Sequence, residues 1–208
     1  IIHSFMADII VQKFGGTSVG SDERISAVAQ IIKNAKKDNQ VIVVVSAMSG
    51  ETNRLINLAK SFGDNPDRRE FDALISTGEK VSASLLAMAL NSIGVKAKSF
   101  SASQISMKTT DHHSKAKIID VNGEKILSTL NDDIVPIITG FQGVTESGDV
   151  TTLGRGGSDT TAVAIAAHVN AARCDIYTDV DGIYTTDPRV LPEAKKLESI
   201  TMEEMLEM

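Results

Sequence analysis

The sequence predicts an α/β protein in which helices alternate with the strands of a mostly parallel sheet. Three observations carry that expectation. Val41 to Val45 is an unbroken run of apolar, β-branched residues, the mark of a strand buried on both faces of a parallel sheet. Strand-like and helix-like segments alternate from Asp8 onward, the pattern of repeated βαβ units. Glycine-bearing polar loops follow the strands, where ligands bind in open α/β sheets.

Each element follows from local chemistry. Asp8 to Phe14 predicts the first strand, and Ser21 with Asp22 and Glu23 caps a helix presenting Ile25, Val28 and Ile32 on one face. Lys33, Lys36 and Lys37 sit near the end of that helix, where cations are favoured. After Val41–Val45 come a helix from about Thr52 to Lys60, a Gly-Asp-Asn-Pro turn at 63–66, a helix to about Ser76, and a long helix from Glu79 to Ile93 that ends at Gly94. Strands are expected near Val95 and over Ile134 to Thr139. Residues 101–131 fit two patterns: Asn122-Gly123 could turn a hairpin, but Ile126, Leu127 and Leu130 have helical spacing, and a short helix is the reading adopted. A hairpin around Gly148-Asp149, an Ala-rich helix from Ser158 to His168 and a strand through Ile176 follow.

The ends of the chain carry two expectations. Met6-Ala7 resembles a start site, which makes residues 1–5 an upstream extension and 6–208 the folded unit. Thr201 with Glu204 forms a capping box that opens a helix close to Met208, so the chain is expected to be part of a longer protein.

Composition removes several function classes. With 42% hydrophobic and 23% charged residues, the 208-residue chain suits one large folded domain rather than a disordered or fibrous one. A net charge of -6 and 4% aromatics argue against nucleic acid as a partner, since phosphate would be repelled and stacking platforms are few. The Lys36-Lys37 and Arg68-Arg69 pairs each adjoin an acid and read as solvated helix faces. Val41–Val45 is far short of the ~18 residues that span a bilayer, so no membrane association is expected. A cytoplasmic location is expected, and the lone Cys174, read as a small buried hydrophobe, agrees with a reducing compartment.

Four loops could carry chemistry. Lys13-Phe14-Gly15-Gly16-Thr17-Ser18 combines two glycines, which let backbone amides approach an anion, with a lysine expected on an exposed loop. It lacks the Gly-Lys-Ser/Thr of a Walker A loop. Gly154-Arg155-Gly156-Gly157-Ser158-Asp159 opens a helix, where the dipole favours negative charge and an arginine suits a carboxylate or phosphate; the alternative is that Ser158 and Asp159 only cap that helix. Asp159 stands where a dinucleotide fingerprint would need glycine, which disfavours a nicotinamide cofactor. The third and fourth loops are 46–52 and 178–189. Glu79, in Ser-Thr-Gly-Glu, either carries chemistry or satisfies a helix dipole. His112 and His113 read as exposed loop rather than metal ligands, no resident metal site is expected, and His168 reads as packing.

Taken together, Lys-Phe-Gly-Gly-Thr-Ser at 13–18, Ser-Ala-Met at 46–48, Ser-Thr-Gly-Glu at 76–79, Gly-Phe-Gln-Gly at 140–143, Gly-Arg-Gly-Gly-Ser-Asp at 154–159 and Thr-Asp-Val-Asp-Gly-Ile-Tyr-Thr-Thr-Asp-Pro-Arg at 178–189 resemble the aspartate kinase branch of the amino acid kinase family. The resemblance runs in order over residues 8–208. It implies a three-layer αβα sandwich and phosphorylation of the side-chain carboxylate of L-aspartate by ATP with Mg²⁺, the first step towards lysine, threonine and methionine. Carried over by position, it implies Lys13 and Asp159 as catalytic residues, Asp159 orienting Lys13. It implies phosphate binding by Lys13, Gly15, Gly16, Thr17, Ser18, Gly156 and Gly157, and an aspartate pocket of Ser46, Thr52, Glu79, Arg155 and Ser158. Thr178, Asp179, Tyr184, Asp187 and Arg189 are the implied nucleotide site. Beyond residue 208 it implies more of the catalytic domain, ACT-type regulatory domains and a homo-oligomer. The alternatives are a family member acting on another acceptor, or a nucleotide-binding module without turnover.

Overall fold

The computed structural model describes residues 7–179, 193 and 195. The capping box at Thr201 and the implied nucleotide contacts Tyr184, Asp187 and Arg189 lie outside the described residues. The elements run β1 (Asp8–Phe14), α1 (Asp22–Ala35), β2 (Asn39–Val45), α2 (Glu51–Lys60), α3 (Arg68–Ile75), α4 (Thr77–Ser92) and β3 (Ala97–Phe100), then a 3₁₀ turn at Ala102–Ile105. They continue with β4 (Met107–Thr109), β5 (Ile118–Val121), α5 (Glu124–Asn131), β6 (Val135–Thr139), β7 (Gln142–Val144), β8 (Val150–Thr152), α6 (Gly157–His168) and β9 (Arg173–Tyr177).

The central sheet has the order β3-β6-β2-β1-β9, and every pairing in it is parallel. Strand alternation divides its side chains between two cores. Ile10, Phe14, Val41, Val43, Val45 and Ile137 pack with residues of α1 and α4 on one face. Val11, Ile42, Val44 and Ile138 pack with residues of α5 and α6 on the other. Burial on both faces is what the continuous Val41–Val45 run requires, and the result is the expected three-layer αβα sandwich.

The N-terminal half follows the expectations closely. Ser21 caps α1, its side chain accepting from the Arg24 N–H at 3.3 Å. Ser76 keeps helical dihedrals (φ -66°, ψ -11°), so α3 passes into α4 almost without a break. That 25-residue run is apolar and long enough to cross a bilayer, but half of its most apolar window is buried inside the protein. The strand expected near Val95 begins at Ala97, because the Val95 N–H turns back to the Leu90 carbonyl and closes α4.

There is a second, four-stranded sheet of order β5-β4-β7-β8, of which the sequence indicated only the β7–β8 hairpin. Two of its pairings are antiparallel, and its strands are three or four residues long. The adopted reading of a short helix after Asn122-Gly123 holds. Gly123 has φ -74°, whereas a two-residue hairpin turn of type I′ needs positive φ there, and Asn122 Oδ1 accepts from the Glu124 N–H to start α5. The hairpin around Gly148-Asp149 forms as expected between β7 and β8.

Candidate active site

Loops from β1, β2, β6 and β9 meet the loop before α6 at the C-terminal edge of the central sheet. Lys13, Gly16, Ser46, Thr52, Glu79, Arg155, Gly156, Gly157, Ser158, Asp159 and Asp179 line one cleft there, about 580 Å³ in volume. Gly15, Thr17, Ser18 and Thr178 do not line it. The first three shape its floor through the backbone: the Gly15 N–H donates to the Tyr177 carbonyl at 3.0 Å, the Ser18 N–H to the Gly15 carbonyl at 3.0 Å, and the Thr17 carbonyl accepts from the Arg24 guanidinium at 3.0 Å. Thr178 Oγ1 lies 3.4 Å from Asp179 Oδ1 in an exposed stretch.

Lys13 is not the exposed loop residue that its neighbours suggested. It belongs to β1, pairs in register with Val44 and Ile176, and is 6% exposed. It shares parity with Val11, so it faces the α6 layer, and there its Nζ lies 2.6 Å from Asp159 Oδ1. The contact is a short ion pair rather than an aligned hydrogen bond. Asp159 stands in the first turn of α6, where the helix dipole favours its charge. The idea that Ser158 and Asp159 only cap α6 fails: the cap residue is Gly156 in the left-handed region, with no side-chain cap bond.

Glu79 comes from the opposite layer. It lies in the first turn of α4, is 2% exposed, and its Oε1 accepts from the Ala47 N–H at 3.2 Å. Its Oε2 is buried with no partner. Burial pushes its carboxyl up to about 7, while amide hydrogen bonds from its own backbone and from Ala47 pull the other way. Serving the helix dipole does not require such burial. Ser82 Oγ donates to the Ser46 carbonyl at 2.7 Å and fixes α4 against the same loop.

Ala47, in the loop after β2, is where the loop after β1 and the start of α4 meet. A Cβ at Gly16 would fall 2.8 Å from the Ala47 carbonyl oxygen, and one at Gly78 would fall 2.8 Å from the Ala47 Cβ. Only glycine allows either approach. Arg155 is exposed in the cleft and makes no hydrogen bond or ion pair with the described residues. Among the described residues no three His, Cys, Asp or Glu side chains are grouped to hold a metal ion.

Sequence reasoning missed several contributors. Gln142, in a stretch noticed but given no contact, is 1% exposed and donates through Nε2 to the Ser76 carbonyl at 2.9 Å. Asp72 is wholly buried, and it binds His113, which was expected in an exposed loop; only His112 is exposed. The available signal was an acid three residues before Ile75, on the buried stripe of α3. His168 does more than pack, since its Nε2 accepts from the Gly123 N–H at 3.2 Å. Cys174 is half-buried, and burial raises its thiol to about 11.

A sequence model of the amino acid kinase family matches residues 8–208. The chain belongs to the amino acid kinase family. Among its relatives, the aspartate kinase of Pseudomonas putida is 56% identical over 201 residues, covering 96% of this chain and 49% of that protein. The crystal structure of aspartate kinase from Synechocystis superposes with a TM-score of 0.73 at 48% identity, over 89% of this chain and 31% of that one. Aspartokinase III of E. coli, solved in complex with aspartate and ADP, gives a TM-score of 0.80 at 30% identity, over 91% and 53%. The chain thus spans about half the length of the curated relatives it matches. Within this family fold, Lys13 and Glu79 reach one cleft from opposite layers of the sandwich.

Proposed function

We propose that this cleft transfers the γ-phosphoryl group of ATP to the side-chain carboxylate of L-aspartate, giving 4-phospho-L-aspartate and ADP. The observation that carries the reading is Glu79, a buried acid with one oxygen unpartnered, in the same cleft as Arg155, which pairs with none of the described residues. An α-amino acid presents an ammonium and a carboxylate, and these two residues offer the complementary pair. Ser46, Thr52 and Ser158 supply the remaining contacts to the acceptor. The aspartate kinase relatives support the choice of acid.

The chemistry asks little of a general base. A side-chain carboxylate is ionised at neutral pH, so one of its oxygens attacks the γ-phosphorus directly as the bond from that phosphorus to the β,γ-bridging oxygen breaks. Catalysis then rests on alignment and on neutralising charge. Lys13, oriented by Asp159, faces the transferred group. The Gly16 amide and the Gly156 amide at the α6 N-terminus cradle phosphate oxygens, while Gly15, Ser18 and Gly157, whose N–H groups donate to backbone carbonyls, hold the two glycine turns in shape with Thr17. Thr178 and Asp179, with Tyr184, Asp187 and Arg189, form the nucleotide side. Mg²⁺ would come with the ATP and neutralise charge on its phosphates, as among the described residues no three His, Cys, Asp or Glu side chains are grouped to hold a metal ion.

Trapping the acyl phosphate with hydroxylamine tests this in the full-length protein. Hydroxamate should form with aspartate and ATP, and at least ~10-fold more slowly with glutamate, one methylene longer. Equal rates, or no hydroxamate from aspartate, would contradict the assignment.

A further inference from the structure

We propose that Asp72 is a positioning residue for acceptor recognition, its buried carboxylate fixing the loop that carries Arg155 relative to Glu79. The inference rests on the roles given above to those two residues. Asp72 is 0% exposed and accepts five hydrogen bonds. They come from His113 Nδ1 (3.0 Å), the Ser114 N–H (2.9 Å), Ser114 Oγ (3.1 Å), the Thr152 N–H (3.0 Å) and Thr152 Oγ1 (2.8 Å).

These donors belong to the two segments that flank the Arg155 loop. Thr152 ends β8, three residues before Arg155. Ser114 backs the same loop, because a side chain at Gly154 would meet the Ser114 carbonyl at 3.4 Å. Ser114 has φ +68°, a conformation non-glycine residues rarely adopt, and Asp72 holds it there through both its amide and its hydroxyl. The Ala116 N–H closes the clasp on the Thr152 carbonyl at 2.9 Å.

On its own side Asp72 is tied to Glu79. It lies seven residues, about two helical turns, before Glu79 in a run that stays helical through Ser76. Gln142 anchors the Ser76 carbonyl midway. A fully satisfied buried network of this kind holds one geometry and resists alternatives. The two ends of the amino acid therefore meet groups whose separation Asp72 sets.

The test is steady-state kinetics of the full-length protein with Asp72→Asn, which keeps the shape but turns an NH₂ towards groups that donate. The aspartate KM should rise at least ~10-fold while the ATP KM stays within about twofold. Ser114→Ala and Thr152→Val each delete one hydroxyl and keep the amide donor. They should raise the aspartate KM by about two- to fivefold, and they carry the test if Asp72→Asn does not fold. A lower melting temperature with an unchanged aspartate KM, or equal rises in both KM values, would make Asp72 a structural clasp only. Glu79→Gln is measured in parallel. If it leaves the aspartate KM unchanged, the recognition reading itself fails; if it raises that KM and the Asp72 series does not, only the positioning role fails.

Discussion

Glu79 is held against its own solvation: at 2% exposure, with Oε2 unpartnered, its ionised form is disfavoured. Its folded value of about 7 lies above the ordinary 4.5, so the folded state binds the proton more tightly than the unfolded one. The stability this provides is complete below about 4.5 and is lost as the pH rises through about 7, a change of about 3 kcal/mol. Glu79→Gln removes the ionisation. Thermal unfolding at pH 5 and pH 8 should therefore show the variant gaining on the parent at pH 8 and nearly matching it at pH 5. A gap that does not vary with pH would show that Glu79 is not the titrating group. The sequence placed Glu79 at a helix start but could not reveal its burial, which depends on Ala47 arriving from another strand.

Ala47 shows how elements, rather than residues, build the site. Its amide and methyl group meet the first turn of α4 and its carbonyl meets the loop after β1, so β1, β2 and α4 can close only if Gly16 and Gly78 lack side chains. Gly78→Ala should push α4 off the 46–50 loop, lowering stability by about 1–3 kcal/mol in chemical denaturation. Unchanged stability would mean that the elements shift freely at this junction. Elements with long periodic patterns were legible: β1 from its position before the glycine loop, β2 from its β-branched run, and α1 from Ser21 and its apolar spacing. Of the second sheet only the β7–β8 hairpin was, from Gly148-Asp149; β4 and β5 were not, because strands of three or four residues leave no periodicity to read and β4 joins the hairpin through Val144, far along the chain.

Over the whole molecule, the αβα layering gives each end of the cleft its own support. Lys13 and Asp159 meet on the α6 face of the sheet, while Glu79 enters from the α4 face. Alternation along β1 sends neighbouring side chains to opposite layers, so one strand end can serve both. Loops with unusual composition announced the site in the sequence. The clasp that spaces those loops did not, since Asp72, Ser114 and Thr152 are far apart in the chain and ordinary in kind. Calorimetry tests the proposed pairing of the Glu79 carboxylate with the ammonium of the acceptor. Aspartate is titrated into the full-length protein at pH 6, with a non-hydrolysable ATP analogue present, in buffers of different ionisation enthalpy. With a carboxyl at about 7, Glu79 is mostly protonated at pH 6 and must ionise to pair with the ammonium. Binding should release most of a proton per site at pH 6, falling towards zero as the pH rises past 8 and absent in Glu79→Gln. Undiminished release in Glu79→Gln, or tight binding by the parent with no proton released at pH 6, would show that the acceptor ammonium does not pair with Glu79.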